Sequence, residues 1–449
     1  MKYAIVGSLF AFSAMVASAD VPRLADSVTV EQNSGGLVTV TYRLLDAEGI
    51  VTVDFQTNNV SIGAINFNNV YGDVNKLIEA SDSKDRHIYW RPCLSWPEGG
   101  RIAEGFSAKV TVWPKTTPPD YMVIDLKGTS PQRYYTCADA LPGSDNARNA
   151  LGVLHPMYKK DKLVMRRVPA EGVTFTMGSP TTGDASYGRT GPRETPHKVT
   201  LTYDYYMAVF ETTQGQWAYL APDAADYGQS ITGDEYPVAR VKNSDLRGWE
   251  WPDDSATHDL GGNTTCLIAK MRAHFGIGFD LPTDAQWEYA CRAGCADALY
   301  NGANFPEDWW ESYEDPTVNV VIPALDEIAW YRANAGEGRP IHRVGQKKPN
   351  AWGFYDMLGN ASEWVQDWCE DMEGWGDNGV ETVSAADVVE PVGRATKASG
   401  QGRVLRGGCV QEPGHRSRVS SRHWCQEWDS VGDYSYGAVR LICPISLQW

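Results

Sequence analysis

The sequence predicts an α+β protein of two domains: an all-β domain first, then a domain with little regular secondary structure. Two observations predict this. Residues 27–125 alternate apolar and polar side chains in short β-branched runs, whereas few long helical or strand patterns follow residue 165. Only Trp90, Trp96 and Trp113 of the 17 tryptophans precede residue 165, which leaves 14 for the second part. Large aromatic side chains are therefore expected to fill a core that regular elements do not supply.

The length and charge of the chain limit its class and its partners. With 449 residues it is long enough for two or three domains that each bury a core. Its 22% charged and 42% hydrophobic residues are typical neither of a disordered chain nor of a membrane protein. Because 57 Asp and Glu outnumber 40 Lys and Arg, the net charge is −17. This excess disfavours nucleic acid as a partner, since binding it requires Lys and Arg to neutralise phosphates.

The first 19 residues have the pattern of a secretory signal peptide. Met1-Lys2 is a short positive region, an apolar stretch runs from Tyr3 to Val16, and Ala17-Ser18-Ala19 is an A-x-A cleavage site. The mature chain is expected to begin near Asp20 and to be secreted, periplasmic or at the cell surface, where cysteines can oxidise. The alternative is an uncleaved anchor, which the lack of a stop-transfer pattern disfavours. No other apolar run reaches the roughly 20 residues of a membrane span.

The N-terminal domain is predicted to cover residues 20–127 as an antiparallel β-sandwich of the immunoglobulin or fibronectin type III kind. Turn residues such as Asn33-Ser34-Gly35-Gly36 separate its short β-branched runs. The expected strands are Val28–Val30, Leu37–Tyr42, Ile50–Phe55 and Ala108–Trp113. No catalytic group of side chains stands out in this domain.

Residues 128–165 have weak periodicity and contain Pro, Gly and Asn, which predicts a linker to a domain over residues 166–445. The clearest helix of that domain begins at Thr283. Thr283-x-x-Gln286 is a capping box, and Trp287, Ala290 and Cys291 follow on one helical face. A second, weaker helix is expected from Thr213 to Tyr219.

A series of motifs in the C-terminal domain resembles one known family. In chain order they are Val168–Ala170 with Phe175–Ser179, Glu194–Leu201, Glu211–Trp217, Pro237-Val238, Leu281–Gly294, Lys348–Val365 and Arg403–Gly408. Together they closely resemble the sulfatase-modifying factor family, whose founding members are the formylglycine-generating enzymes, over about residues 166–445. The resemblance implies a C-type-lectin-like fold with bound Ca²⁺.

The resemblance also defines what a copper site would need. The family's enzymes oxidise a cysteine of newly made sulfatases to formylglycine, using O₂ and a Cu⁺ ion held by two cysteine thiolates, which suit this soft ion. Those cysteines lie a few residues beyond the Arg-Gly-Gly that here is Arg406-Gly407-Gly408. The following segment is shorter in this chain and neither thiolate position holds a cysteine. We therefore expect the copper centre to be missing.

Cys409 is the remaining catalytic candidate. It stands where the family usually has serine, and His415 lies nearby in the sequence. One thiolate with this histidine would serve as a copper ligand or as a nucleophile. Because a lone cysteine in an exported domain is more often a disulfide partner, we expect Cys409 to be structural.

Calcium is the metal that the resemblance favours. Carboxylates and main-chain carbonyls suit this hard cation, and one tight turn offers both. By resemblance, Asp356 replaces a family asparagine ligand, Gly359 and Ala361 would bind through their carbonyl oxygens, and Glu363 would bind through its carboxylate. A second site would involve Asn334. The alternative is that Asp356 and Glu363 only cap the turn or face solvent.

The cysteines are odd in number, so the nine cannot all pair within one chain. The resemblance implies a disulfide between Cys266 and Cys443. Cys291 also matches a family cysteine, but its usual partner position is Val419 here. The replacement partners that remain open are Cys295, Cys369, Cys409 and Cys425, and pairing of Cys93 with Cys137 is equally undecided.

Two functions remain, and the missing thiolates favour binding. The first is an exported, calcium-stabilised module, without oxidase activity, that binds a protein or glycan or assists another protein, with a sulfatase as one candidate partner. The second is a formylglycine-generating oxidase with relocated copper ligands, which the completeness of the other motifs favours. Formation of an aldehyde on a peptide with a Cys-x-Pro-x-Arg sequence would distinguish them.

Overall fold

The computed structural model describes residues 21–96, 100–102, 104–128, 132–144, 152–183, 194–224, 231–248, 264–305, 321–368, 388–389, 403–424 and 437–445. The predicted signal peptide lies outside these residues. The chain divides into two compact units. The N-terminal unit contains the residues up to Gly63 together with Asn69–Pro118, and the C-terminal unit contains Ala64–Asn68 and the residues from Pro119 onward.

The described part of the N-terminal unit consists of short strands with one helical turn. These elements are β1 (Arg23–Leu24), β2 (Thr29–Gln32), β3 (Val38–Tyr42), β4 (Leu44–Leu45), β5 (Gly49–Thr57), β6 (Val60–Ser61), β7 (Tyr71–Gly72), β8 (Lys76–Ile78), β9 (Arg86–Trp90), α1 (Pro92–Ser95) and β10 (Phe106–Trp113). One sheet has the order β2-β3-β9-β7, and the other has the order β10-β5-β6, with β8 also paired to β5. β1 pairs with β4, and every pairing in the unit is antiparallel. All four predicted strands are confirmed.

An aromatic core joins the two larger sheets of this unit. On β3 and β9 the buried residues alternate with half-exposed ones, as expected for a strand with one face inside. Val40, Ile88 and Trp90 are each 0% exposed. Phe55 of β5 stacks on Trp90 with ring centroids 4.6 Å apart, so the inner faces of both sheets meet there.

The described part of the C-terminal unit contains small sheets and few, short helices. Its strands are β11 (Tyr121–Asp125), β12 (Gln132–Tyr135), β13 (Lys162–Val168), β14 (Thr174–Met177), β15 (His197–Thr200), β16 (Tyr205–Ala208), β17 (Ser362–Trp368), β18 (Val388–Val389), β19 (Arg403–Arg406), β20 (Arg422–Trp424), β21 (Gly437–Ala438) and β22 (Ile442–Pro444). Its helices are α2 (Gln214–Leu220), α3 (Asn243–Arg247), α4 (Leu267–Phe275), α5 (Asp284–Arg292) and α6 (Pro323–Asp326). This mixed α/β architecture agrees with the predicted fold class.

Three sheets organise these strands. The largest has the order β12-β11-β13-β16-β22, a second has the order β20-β19-β17-β21, and a third has the order β14-β15-β18. Most pairings are antiparallel, whereas β15–β18 and β17–β21 are parallel. Because β16 pairs with β22, residues near the end of the chain lie beside Tyr205–Met207. Pairing between strands that are far apart in the sequence thus holds β22 against β16 in this unit's largest sheet.

The structure draws the boundary between the units at Pro118 rather than at the predicted residue 127. β11 pairs with β13 through Tyr121 and Arg166, so residues 119–127 belong to the C-terminal unit. The segment predicted as a linker, residues 128–165, supplies β12 and the start of β13. Leu141 and Tyr158, from this segment, are 0% exposed. Its periodicity is weak because it consists of short elements, whose buried residues pack against parts of the chain that are distant in the sequence.

Both predicted helices of the C-terminal unit are confirmed. In α5 the Thr283 hydroxyl accepts a hydrogen bond from the Gln286 amide at 3.1 Å, and the Gln286 side chain accepts one from the Thr283 amide at 3.0 Å. α2 begins with the same reciprocal pair, Thr213 and Gln216. Each capping box satisfies amide groups that a helix start leaves without partners.

The core of the C-terminal unit combines aromatic residues with buried arginines. Trp287, Trp217 and Trp364 are buried, as the distribution of tryptophans predicts. Four arginines are also among the largest fully buried side chains, and each pairs with a buried carboxylate. The pairs are Arg247–Asp280, Arg406–Glu288, Arg418–Glu194 and Arg440–Glu363. Among the described helices, none has the length and apolar character that crossing a membrane would require.

Candidate functional site

The segment that would carry copper ligands begins with two glycines after β19. Gly407 and Gly408 have φ angles of 88° and 71°, in the left-handed region that favours glycine. A Cβ at Gly407 would lie 2.9 Å from the carbonyl oxygen of Met357, and a Cβ at Gly408 would lie 2.9 Å from the Ser417 hydroxyl. The turn therefore requires both glycines, and it fixes where Cys409 begins the next segment.

Cys409 is enclosed by this turn. Only 1% of the residue is exposed. Its carbonyl oxygen accepts a hydrogen bond from the Glu412 amide at 3.0 Å, and the neighbouring Val410 amide donates to the Asn360 carbonyl at 3.1 Å. The single cysteine of the segment is therefore held below the surface, out of reach of a dissolved peptide.

His415 lies in a helical turn, Gly414–Arg416, of the same segment. Burial, helped by the positive charges of Arg416, Arg418 and Arg332, lowers the pKa of its imidazole to about 3. The imidazole is therefore neutral at pH 7.

Arg418 anchors the end of this segment. Its guanidinium donates to both carboxylate oxygens of Glu194, at 2.6 and 2.7 Å, and both residues are 0% exposed. The hydroxyls of Ser179 and Ser420 each donate to Glu194 at 2.8 Å. A fully satisfied buried pair of this kind holds the segment from Cys409 to Arg418 in one position.

An open pocket of about 490 Å³ adjoins this segment. The Gln411 side chain donates to the Arg339 carbonyl at 2.9 Å, and the Arg332 Nε donates to the Gln411 carbonyl at 3.2 Å. These hydrogen bonds join the segment to the loop of residues 332–339, which we call the pocket loop. Both charged and small residues line the pocket: Arg332, Ala333, Gly336, Glu337, Gly338, Arg339 and Gln411.

Asn334, the candidate for a second calcium site, is engaged locally. Its amide nitrogen donates to the Asp326 carboxylate and to the Ala329 carbonyl, both at 2.8 Å. Its amide oxygen accepts from the Tyr331 amide at 2.7 Å. In this arrangement its side chain stabilises the turn that starts the pocket loop.

The four residues of the main calcium prediction lie in a buried turn. The Asp356 carboxylate accepts from the Gly345 amide at 2.6 Å, and burial raises its pKa to about 6. Gly359 donates from its amide to the Gly407 carbonyl at 2.8 Å. Glu363 accepts hydrogen bonds from Arg440 and, at 2.7 Å, from the Trp287 indole.

Glu211 and Arg440 complete this buried cluster and were not singled out by the sequence. Glu211 accepts from the Asn360 side chain at 2.7 Å and from the Ala361 amide at 2.9 Å. Burial raises its pKa well above the usual range, and the charges of Asp356 and Glu363 raise it further. A charged residue at the end of an apolar run, as in Val209-Phe210-Glu211 and Val439-Arg440, is the signal that could have found both.

This donor set is compatible with calcium in its chemistry. Asp356 and Glu363 are buried carboxylates on one turn, and the carboxylate of Glu211 lies beside them, so oxygen ligands are present there. No group of three or more His, Cys, Asp or Glu side chains among the described residues is arranged to share an ion, but the predicted set has only two such side chains and two carbonyls. Calcium therefore stays a prediction.

The structure contains no disulfide among the described cysteines. Cys266 and Cys443 are both buried, and the bond between them stays a prediction. Burial raises the pKa of the Cys291 thiol well above its usual value. Cys369 and Cys425, two of its candidate partners, lie outside the described residues.

Comparisons with known proteins identify the family. The model of the sulfatase-modifying factor enzyme 1-like domain matches residues 159–440, which is more than half of the chain. A protein named chaperone protein LppX from Paenibacillus barcinonensis is 30% identical over 38% of this chain and 64% of its own length. A formylglycine-generating enzyme from Bos taurus is 26% identical over 57% of this chain and 70% of its own length.

Among solved structures, Treponema denticola variable protein 1 aligns with 63% of this chain and 95% of its own, at 20% identity and a TM-score of 0.43. The family model and the ordered motifs agree on the same residues. The chain belongs to the sulfatase-modifying factor family, with the family's domain in its C-terminal part after an all-β N-terminal region.

Proposed function

We propose that this chain is an exported binding or accessory module of its family and does not oxidise cysteine to formylglycine. One observation carries the proposal. Where the family's enzymes have two copper-binding thiolates after Arg-Gly-Gly, this chain has Cys409 alone, and that residue is 1% exposed. A Cu⁺ site of the family's kind needs two thiolates, which the segment from Cys409 to Arg422 does not contain.

The surroundings of Cys409 support the same conclusion. His415, the candidate base of the segment, is half-buried, and its pKa of about 3 makes it a weak base. A general base next to a nucleophile must also be within reach of the substrate, and burial of the thiol prevents that for a peptide in solution. The relative named as a chaperone supports an accessory role.

We place the binding surface at the pocket beside Gln411, because it adjoins the segment that carries the active cysteines in the family's enzymes. The lining of the pocket includes two positively charged residues, Arg332 and Arg339, and one negatively charged residue, Glu337. Its glycines leave main-chain groups accessible. These features suit hydrogen bonding to a protein segment or a glycan. A sulfatase is one candidate partner.

Calcium is part of this proposal as a stabilising ion. Asp356 and Glu363 would bind it through carboxylate oxygens, and Gly359 and Ala361 through carbonyl oxygens. Both carboxylates are buried on one turn with these carbonyl groups, and oxygen ligands of this kind suit a hard cation. Its role would be to stabilise the turn that packs against Gly407.

The test is incubation with copper, O₂ and a peptide that carries a Cys-x-Pro-x-Arg sequence. Mass spectrometry with an aldehyde-reactive probe is expected to find only the unmodified cysteine peptide. A Cys409→Ser variant serves as the control and should give the same spectrum. Catalytic aldehyde formation by the parent chain would overturn the proposal in favour of the oxidase, and its loss in this variant would assign Cys409 to that reaction.

A further inference from the structure

The outer face of one sheet in the N-terminal unit carries two rows of polar and aromatic side chains. Antiparallel pairing sets Glu31 opposite Thr39, Thr39 opposite Tyr89, and Tyr89 opposite Tyr71, which gives one row across β2, β3, β9 and β7. A second row lies two positions away along the strands, where the same pairing sets Thr29 opposite Thr41 and Thr41 opposite His87. Because side chains alternate between the faces of a sheet, both rows lie on one face.

The other face of this sheet is the buried one. Val38, Val40 and Ile88, which alternate with the residues of the two rows, are each 0% exposed. Within the rows, Thr29 and Glu31 are exposed, and Thr39, Thr41, His87 and Tyr89 are half-buried. The rows are therefore not part of the core, and their residue types are not set by packing inside the domain.

Three rings form a continuous aromatic strip on this face. Tyr71 and Tyr89 have ring centroids 5.4 Å apart, and Tyr89 and His87 have centroids 6.1 Å apart, with both pairs inclined by 31°. Tyr71 is 51% exposed, so one end of the strip lies at the surface. Gly72 makes this possible, because a Cβ there would lie 2.4 Å from the His87 carbonyl and would push β7 away.

Hydrogen-bonding groups surround the strip. The Thr41 hydroxyl and His87 Nδ1 are 3.1 Å apart, which fixes the imidazole beside Tyr89. The hydroxyls of Tyr71 and Tyr89 and the carboxylate of Glu31 have no hydrogen-bond or ion-pair partner among the described residues. The face thus combines apolar ring surfaces with open donors and acceptors.

We propose that this face of the N-terminal unit binds a neutral glycan. The C–H faces of sugar rings pack on aromatic rings, while their hydroxyls bond to groups such as those of Tyr71, Glu31 and Thr39. The two rows contain no aliphatic side chain larger than threonine, so their apolar surface is limited to the three rings, which is less than a protein partner buries at the centre of an interface. They contain Glu31 and no Lys or Arg, which disfavours a sulfated or otherwise anionic glycan.

This site lies outside the family's domain, and its proposal does not depend on the function proposed for the C-terminal unit. The experiment is affinity electrophoresis of the full chain in native gels that contain hydroxyethylcellulose, xylan, galactomannan or mannan as neutral polysaccharides, and heparin as an anionic one. The variants are Tyr71→Ala, Tyr89→Ala and Tyr71→Phe. Val60→Ala is the matched control, since Val60 is 69% exposed on β6 of the other sheet.

At least one neutral polysaccharide is expected to retard the parent chain. Tyr71→Ala and Tyr89→Ala should weaken its affinity by about tenfold or more, because each removes a stacking surface. Tyr71→Phe should weaken it less, and Val60→Ala should leave it unchanged. The proposal is overturned if no neutral polysaccharide retards the chain, if only heparin does, or if the tyrosine-to-alanine variants behave like Val60→Ala while circular dichroism shows them folded.

Discussion

The two units of this chain build their interiors from different interactions. In the N-terminal unit, antiparallel ladders place apolar side chains such as Val40 and Ile88 inside, and Phe55 and Trp90 stack at the centre. In the C-terminal unit, fully buried arginines pair with carboxylates that are far away in the sequence. Glu194 and Arg418 are 224 residues apart, and Glu363 and Arg440 are 77 residues apart.

The difference follows from how much regular structure each unit has. A ladder satisfies backbone groups locally and leaves only apolar faces to bury. A loop-rich unit cannot do so, and its loops are held by side chains that make several hydrogen bonds each. Arg440, for example, donates to the carbonyls of Ala208, Val209 and Tyr355 as well as to Glu363. The positions of the loops in the C-terminal unit therefore depend on buried, charged side chains.

The largest expected effect comes from breaking one of these pairs. Arg418→Met leaves the Glu194 carboxylate buried without its partner, and loss of one member of a buried pair costs about 3–5 kcal/mol. The measurement is the free energy of unfolding in urea. The control is Arg43→Met in the N-terminal unit, whose exposed pair with Asp85 is worth less than about 1 kcal/mol. Equal effects of the two substitutions would contradict the contrast between the units.

Calcium should add a smaller stabilisation to the C-terminal unit. At a free concentration of about 100 times its Kd, a single ion adds about 2.7 kcal/mol, so the Tm of chelator-treated protein should rise when Ca²⁺ is added. Glu363→Gln should abolish this rise, whereas Glu337→Gln, on the exposed pocket loop, should keep it. The readout is the Tm shift within each variant, because Glu363→Gln also weakens the contact with Arg440. A parent chain without any shift at saturating Ca²⁺ refutes the calcium site.

Acid should destabilise the C-terminal unit first. Burial raises the pKa of Glu194, but the charge and hydrogen bonds of Arg418 outweigh it and hold that pKa well below the ordinary 4.5. A lowered pKa in the folded state gives stability that is present above 4.5 and is lost as the pH falls below it, by up to about 1.4 kcal/mol for each pH unit. Hydrogen exchange at pH 7, 4 and 3 would follow each unit separately. Earlier loss of protection in β3 and β9 would be the opposite of what we expect.

Local signals in the sequence predicted the parts of the fold that depend on neighbours. The capping boxes at Thr213 and Thr283 and the alternating strands of the N-terminal unit depend on residues a few positions apart. The unit boundary at Pro118 could not be predicted from such signals, because β11 is assigned to the C-terminal unit by its pairing with β13, about 40 residues later. Glu211 and Arg440 stand inside or beside the motifs that identified the family, but their place in the buried cluster depends on partners far away in the sequence, such as Asn360 for Glu211.

Formation of aldehyde on a Cys-x-Pro-x-Arg peptide tests the central claim most directly, with the bovine formylglycine-generating enzyme as the positive control under the same copper and O₂ conditions. The buried, single Cys409 predicts that this chain leaves the peptide unmodified while the bovine enzyme converts it. Conversion of the peptide by this chain over many turnovers, at a rate near that of the bovine enzyme, would contradict the claim and establish the oxidase.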